Sequence, residues 1–166
     1  MAGSYNYYKT EVAQYLKERF HTTATILDVG AGCGTYYYYL KDYFTNIDAV
    51  EAFENNIKIY DLKNKYQNVY HINILDFTYD YYDIIIFGDV LEHLTIEEPQ
   101  KVLNYALEKS KEVIVAVPYL YKQGVIEDNI FEIHKQDDLT KENMLIRYPQ
   151  LKFLYGTNDY GYYVKK

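Results

Sequence analysis

The sequence predicts an α/β fold: a three-layer sandwich built on a doubly wound, mainly parallel seven-stranded sheet with an antiparallel C-terminal hairpin. Three observations carry this expectation. Short β-branched, apolar runs alternate with stretches of helical period. A glycine-rich turn joins the first of those runs to the helix that follows it. The chain then closes with two β-rich runs around Gly156-Thr157-Asn158-Asp159, the pattern of a hairpin. Strands separated by helices are joined by right-handed crossovers, which makes the body of the sheet parallel and leaves only the hairpin edge antiparallel.

Taken in order, residues 5–20 place Tyr8, Val12, Tyr15, Leu16 and Arg19 near helical spacing with Lys and Glu between them, an amphipathic helix. Residues 25–30 form an apolar run ending in glycine, which suits a strand buried on both faces. From Thr35, the residues Tyr36, Tyr39, Leu40 and Tyr43 recur at i, i+3, i+4 and i+7 and predict a helix. A strand over 47–51, a helix over 55–66 and strands over 69–75 and 82–87 continue the alternation. Thr95-Ile96-Glu97-Glu98 has capping-box spacing ahead of a helix with Val102, Leu103, Ala106 and Leu107 on one face, and Pro99 is tolerated in its first turn. A strand over 112–117 is closed by Pro118. Residues 119–138 are polar and without period, and long loops in compact domains are often functional. Asp138 or Thr140 can cap a short helix that stops before Pro149, and strands over 151–155 and 160–164 make the hairpin. The chain of 166 residues suits one domain, divided as a lead-in helix (1–23), a core (24–118), a loop (119–138), and a last helix with the hairpin (139–166).

Composition excludes several classes. With 49% hydrophobic and 25% charged residues the chain is neither disordered nor fibrous. A net charge of -7 without any Lys/Arg cluster disfavours nucleic acid as a partner. No apolar run reaches the ~20 residues that cross a bilayer, and the N-terminus lacks a signal-peptide core, so a cytoplasmic protein is expected. Cys33 is the single cysteine, which rules out an intramolecular disulfide and a CxxC zinc site. The 23 tyrosines against 7 phenylalanines stand out, because a tyrosine serves a core edge and a wet pocket equally well.

On such a sheet, ligands bind beyond the carboxyl ends of the strands where strand order reverses. The first end reads Asp28-Val29-Gly30-Ala31-Gly32-Cys33-Gly34-Thr35, where glycines let backbone amides approach a ligand. A dinucleotide fingerprint would place glycine at position 35, where Thr35 stands. The second end is Glu51, a carboxylate suited to ribose hydroxyls; the third is Leu75-Asp76-Phe77, an acceptor for an exocyclic amine beside a ring; the fourth is Gly88-Asp89-Val90-Leu91-Glu92-His93-Leu94.

These four motifs, in this order, resemble those of class I S-adenosylmethionine-dependent methyltransferases, and the likeness runs from the first strand to the terminal hairpin. The resemblance implies that S-adenosylmethionine is the cofactor, with Gly30, Ala31 and Gly32 at its methionine part, Glu51 on the ribose, Ala52 or Phe53 flanking the adenine, and Asp76 and Phe77 fixing the adenine edge. It implies that Asp28 holds the glycine loop or the cofactor amino group, and that Gly88 and Asp89 lie beside the transferable methyl.

The expected reaction is methyl transfer to a small or tethered acceptor, more readily oxygen than nitrogen or carbon. An oxygen acceptor needs a base, for which His93, His134 and Tyr119 are placed by location. If a helix begins at Asp89, then Asp89, Glu92 and His93 share a face, and with His134 they form an alternative, a divalent-metal site. Asp89 and Glu92 could equally be helix-start carboxylates, and His93 a packed histidine. Tyr36 to Tyr39 read as core packing, whereas Tyr7, Tyr8, Tyr119 and Tyr121 are candidates for the acceptor pocket. Two rival readings are a non-catalytic cofactor-binding subunit of a heteromeric complex and a nicotinamide-dependent oxidoreductase; a homodimer is compatible with the first reading.

Overall fold

Seven strands form one sheet in the order β3-β2-β1-β4-β5-β7-β6 in a computed structural model that describes residues 6–166. The chain runs α1 (Lys9–Lys17), β1 (Thr25–Val29), α2 (Thr35–Leu40), β2 (Asn46–Glu51), α3 (Glu54–Ile59), α4 (Leu62–Lys65), β3 (Val69–His71) and β4 (Tyr82–Gly88). It continues through α5 (Glu98–Glu108), β5 (Ser110–Pro118), α6 (Lys141–Arg147), β6 (Leu151–Gly156) and β7 (Tyr160–Lys165). The first five strands pair in parallel, while β7 pairs antiparallel with both β5 and β6, as the sequence predicts.

The period of two along the strands divides the core. Ile26, Ile84, Ile86, Ile114 and Ala116 point to the face covered by Val12, Leu16, Leu40, Ile57 and Leu62 of α1 to α4. Leu27, Val29, Ile85, Phe87, Val113 and Val115 point to the other, under Val102, Leu103 and Ala106 of α5 and Met144 of α6. Strands buried on both faces must be apolar at every position, which explains why Ile84-Ile85-Ile86-Phe87 has no polar alternation. Each fully buried side chain of this size contributes about 1.5–3 kcal/mol through burial.

Four expectations are corrected. The first helix is shorter than 5–20: Tyr5 lies outside the described residues, Tyr8 has a left-handed backbone (φ 53) and is exposed, and Lys9 takes the buried position. The helix expected over 55–66 is two, broken where Asp61 adopts φ 52, a conformation that short polar side chains tolerate. The third strand stops at His71 and not at Leu75, because the Asn73 side chain accepts from the Leu75 amide (3.0 Å) and folds the segment into a turn. The capping box at Thr95 is half formed: the Thr95 amide donates to Glu98 (2.7 Å), yet α5 starts only at Glu98 and has no side-chain cap. At α6, by contrast, Thr140 accepts from the Asn143 amide (3.0 Å) as the N-cap.

Strand order reverses at β1, whose neighbours are β2 on one side and β4 on the other. The crossovers diverge there, so the carboxyl ends of β1, β2 and β4 open onto a common crevice.

Candidate active site

A cleft of about 670 Å³ occupies that crevice, with the glycine loop on one side and the loop after β5 closing the other. Its floor begins at Gly30, whose φ of 67 is left-handed and whose Cβ, if present, would stand 2.7 Å from Val90 Cγ2. The Gly30 amide is anchored on the Val50 carbonyl (2.8 Å), so the turn is fixed to β2 rather than floating above it. Ala31 and Gly32 follow along the cleft wall.

Glu51 clamps this loop. One carboxylate oxygen accepts from the Gly32 amide (2.8 Å) and the other from the Phe53 amide (2.8 Å). Burial pushes the Glu51 carboxyl up, and those backbone amides pull it back toward the charged form. The Asn56 side chain and the Ala52 amide bond it as well, so four donors orient the carboxylate at the edge of the cleft.

Asp28 sits beneath the loop rather than in the cleft. It is fully buried, accepts from the Tyr66 hydroxyl (2.6 Å), and is pushed up to about 7 by burial, against the opposing pull of the Tyr66 hydrogen bond and Lys9. The expectation that it holds the glycine loop through the loop amides is corrected: its hydrogen-bond partner is the Tyr66 hydroxyl. Ala52 lines the cleft, but Phe53 does not; Phe53 caps α3 with its backbone extended. Asp76 is exposed and Phe77 stacks at 4.7 Å on Tyr70 and 5.4 Å on Tyr79, so neither reaches the cleft. The Asn73 turn that ends β3 brings Ile72, Asn73, Ile74 and Leu75 there instead.

The β4 end supplies the polar heart of the site. A Cβ at Gly88 would overlap the Tyr36 ring at 2.1 Å, so glycine permits α2 to lie against the strand end. Asp89 adopts φ 57; one of its oxygens accepts from the Tyr160 hydroxyl (2.6 Å) and the other has no hydrogen-bond partner among the described residues. Behind it Lys9, 1% exposed, places its ammonium 4.4 Å from the Tyr36 ring centroid and 3.3 Å from the hydroxyls of both Tyr36 and Tyr162. Burial lowers the Lys9 pKa, with Asp89 and Asp28 opposing.

A short 3₁₀ helix (Leu91–His93) follows, not the α-helix that would put Asp89, Glu92 and His93 on one face. Glu92 is 1% exposed, and neither carboxylate oxygen has a hydrogen-bond partner among the described residues. Burial, then the nearby Asp89 charge, pushes its carboxyl well above the usual range. The loop folds back onto it: the Lys135 and Gln136 amides donate to the Glu92 carbonyl (2.8 and 3.0 Å). Gln136, 2% exposed, donates to the Leu91 carbonyl (2.8 Å) and accepts from Arg147 and Tyr148.

That clip sets His134 against His93, ring centroids 4.8 Å apart. The Nδ1 of His93 lies 3.3 Å from the Ile133 carbonyl and that of His134 lies 2.7 Å from the Tyr121 carbonyl. A carbonyl oxygen only accepts, so the His134 Nδ1 carries the proton and its Nε2 keeps a lone pair, whereas the His93 ring also faces the Glu132 and Asp89 carbonyls. Burial and the neighbouring His134 push His93 down to about 4, and burial lowers His134 as well, so both rings are neutral at neutral pH. Glu92, His93 and His134 offer ligand atoms that all lie within 4.8 Å of one another; Asp89 is outside that group, a correction to the four-residue set.

Of the tyrosines expected near the acceptor, Tyr121 lines the cleft. Tyr119 is buried with its hydroxyl on that of Tyr163, Tyr8 stacks on Tyr155 (5.6 Å), and the Tyr7 carbonyl accepts from Tyr162 (2.8 Å). Tyr119 is therefore no base. Lys9, Asn73 and Gln136 escaped the sequence reading. Of the three, Gln136 alone stands in the long loop that the sequence marks as functional.

A family model described as "Methyltransferase domain" matches residues 4–123. No curated protein matches in a sequence search. Among solved structures, the N-methyltransferase NodS from Bradyrhizobium japonicum WM9 superposes with a TM-score of 0.67 at 11% identity, covering 95% of this chain and 93% of that one. The plantazolicin methyltransferase BpumL in complex with SAH gives 0.67 at 14% identity over 95% and 81%. The DhpI-SAM-HEP complex gives 0.70 at 13% identity over 98% and 88%. At these identities the superpositions speak to the fold.

Proposed function

The chain belongs to the methyltransferase domain family and is a class I S-adenosylmethionine-dependent methyltransferase, and on that premise we propose that it methylates an oxygen of a small-molecule acceptor. The side chains present suit the cofactor. The glycine loop brings bare backbone to the cleft where a Cβ would clash, Glu51 lines the cleft beside it, and the cleft volume lies in the range of about 300–1,000 Å³ that encloses small ligands. In this reading Gly30, Ala31 and Gly32 hold the methionine part and Glu51 the ribose, while Ala52 and Ile72 to Leu75 border the adenine. Gly88 and Asp89 stand at the methyl end, and Asp76, Phe77 and Phe53 are left out of the contact set. Residues 24–118 then form the cofactor core and residues 119–138 the acceptor loop.

When bound, S-adenosylmethionine supplies a methyl group already activated by its sulfonium charge. The protein has to align an acceptor with it and keep water away. Ile126, Ile130 and Phe131 form an apolar outer wall, and Asp89, Glu92, His93 and His134 a polar inner end. This favours an acceptor with an apolar body and a hydroxyl at one end. His134 Nε2 is in the right protonation state to accept the hydroxyl proton as the new O–C bond forms.

The observation that carries the reading is His134, held by the Tyr121 carbonyl with Nε2 unprotonated and set beside the His93 ring at the polar end of the cleft. The test is release of S-adenosylhomocysteine on panels of phenols, aliphatic alcohols and amines. Turnover on hydroxyl compounds that falls by about 10²–10⁴ in His134→Ala supports it. Turnover confined to amines, or full activity in that variant, overturns it.

A further inference from the structure

We propose that the acceptor is an amphiphile: its polar end is held inside the cleft, and its hydrocarbon tail leaves across an exposed apolar apron made by Tyr121, Ile130 and Phe131. These three residues line the cleft and are also 43%, 63% and 40% exposed, so the apolar wall of the interior continues to the outside. Leu120 and Val125 flank them in sequence and are exposed as well, which leaves five large apolar side chains of residues 120–131 in contact with water. Single exposed apolar residues are ordinary, whereas a group of them at the mouth of a cleft marks a surface that is covered in use.

The segment is built to keep them there. Ile126 and Asn129 form an antiparallel bridge around Glu127 and Asp128, both left-handed (φ 49 and 62), a turn that residues other than glycine enter at a cost. The buried Asn129 side chain accepts from the Phe131 amide (3.0 Å). Gln123 ties the two arms together: its carbonyl accepts from the His134 amide (3.0 Å) and its side chain donates to the Glu132 carbonyl (2.9 Å). Bonds of this kind hold Ile130 and Phe131 outward in advance, so an arriving chain does not have to order them.

Space and charge identify the occupant as the acceptor's own tail. The cleft of about 670 Å³ has to take the cofactor as well as the reacting end of the acceptor, so the remainder of a larger acceptor leaves by the open side, where the apron lies. Residues 120–138 carry five carboxylates against two lysines. That balance repels an anionic bilayer or a fatty-acid carboxylate and sets two copies of this face against each other, but it leaves an uncharged hydrocarbon unopposed.

The chemistry at the polar end rests on the methyl-transfer reading, and the tail site is tested apart from it, by binding. The protein should be titrated calorimetrically with 4-n-alkylphenols from ethyl to octyl and with the matching 4-n-alkylanilines, below their aggregation concentrations, with and without S-adenosylhomocysteine. Complete burial of a methylene is worth about fourfold in affinity, so a tail lying on an open wall should gain about two- to fourfold per methylene in both series. Ile130→Asn and Phe131→Asn should each lower the octyl-to-ethyl affinity ratio by about tenfold. Ile146→Asn, exposed on α6 and outside the cleft lining, should keep the parent's slope. Binding of S-adenosylhomocysteine to the same samples reports whether the variants are folded and tests the cofactor reading by itself, while turnover of phenols against anilines tests the oxygen reading.

Affinity independent of chain length in the parent, an unchanged slope in folded Ile130→Asn and Phe131→Asn, or no binding of either series overturns the proposal. A dimer that Ile130→Asn dissociates, or binding to phosphatidylcholine vesicles that Phe131→Asn abolishes, would assign the apron to a second copy or to a bilayer and overturn it as well.

Discussion

Gly30 and Asp28, two positions apart on the β1 end, show how single residues set the site. At Gly30 a side chain meets both a left-handed φ and Val90 at 2.7 Å, so Gly30→Ala should destabilise the protein by about 1–3 kcal/mol and weaken binding of S-adenosylhomocysteine, read by thermal melting with and without ligand. At Asp28 the effect depends on pH. Burial raises its folded pKa to about 7, above the ordinary carboxylate value, so its contribution to stability is full below about pH 4 and is lost as pH rises through about 7. Asp28→Asn keeps an acceptor for Tyr66 and removes that slope; its margin over the parent should grow by about 3 kcal/mol between about pH 4.5 and pH 8, measured by denaturant unfolding. An unchanged margin would show that Asp28 is ionised throughout. Glycine positions and strand-end acids were legible in the sequence because their spacing reflects local backbone needs. The partners of those acids were not: Tyr66 reaches Asp28 and Tyr160 reaches Asp89 from distant segments, and no local pattern marks such pairs.

Elements followed the same division. Period and length identified the strands and the larger helices, since a sheet covered on both faces demands continuous apolar runs. The helix break at Asp61 and the early end of β3 at His71 depend on single polar side chains that enter unusual backbone states, and hydrophobic period does not register them. The end of β3 matters for the site, because it moves Asp76 and Phe77 out of the cleft and Ile72 to Leu75 into it. Where a cap is complete it should be measurable: Thr140→Ala is expected to lower stability by about 1 kcal/mol, seen as a reduced denaturation midpoint at constant slope. A null effect would mean that the packing of Met144 and Tyr148 alone holds α6.

At the scale of the molecule, the order of strands determines where chemistry occurs. Reversal at β1 gathers Gly30, Glu51, Gly88 and Asp89 from three separate strands, and the loop after β5 closes over them through Gln136 and the Glu92 carbonyl. The net charge of -7 acquires a location in this arrangement, since Glu51, Asp89, Glu92 and Glu132 all border a cleft whose cofactor carries a sulfonium. Part of the tyrosine excess is explained as well: Tyr36, Tyr160 and Tyr162 enclose the buried Lys9 ammonium, a task that needs both ring faces and hydroxyls and that phenylalanine could not perform. The cofactor site is the point on which every later claim depends. Calorimetric titration with S-adenosylhomocysteine, beside NADH and the Glu51→Ala variant, tests it most directly. The account predicts one S-adenosylhomocysteine per chain, affinity reduced about tenfold or more in Glu51→Ala, and no heat from NADH. NADH binding in place of S-adenosylhomocysteine, or equal affinity in Glu51→Ala, would contradict it.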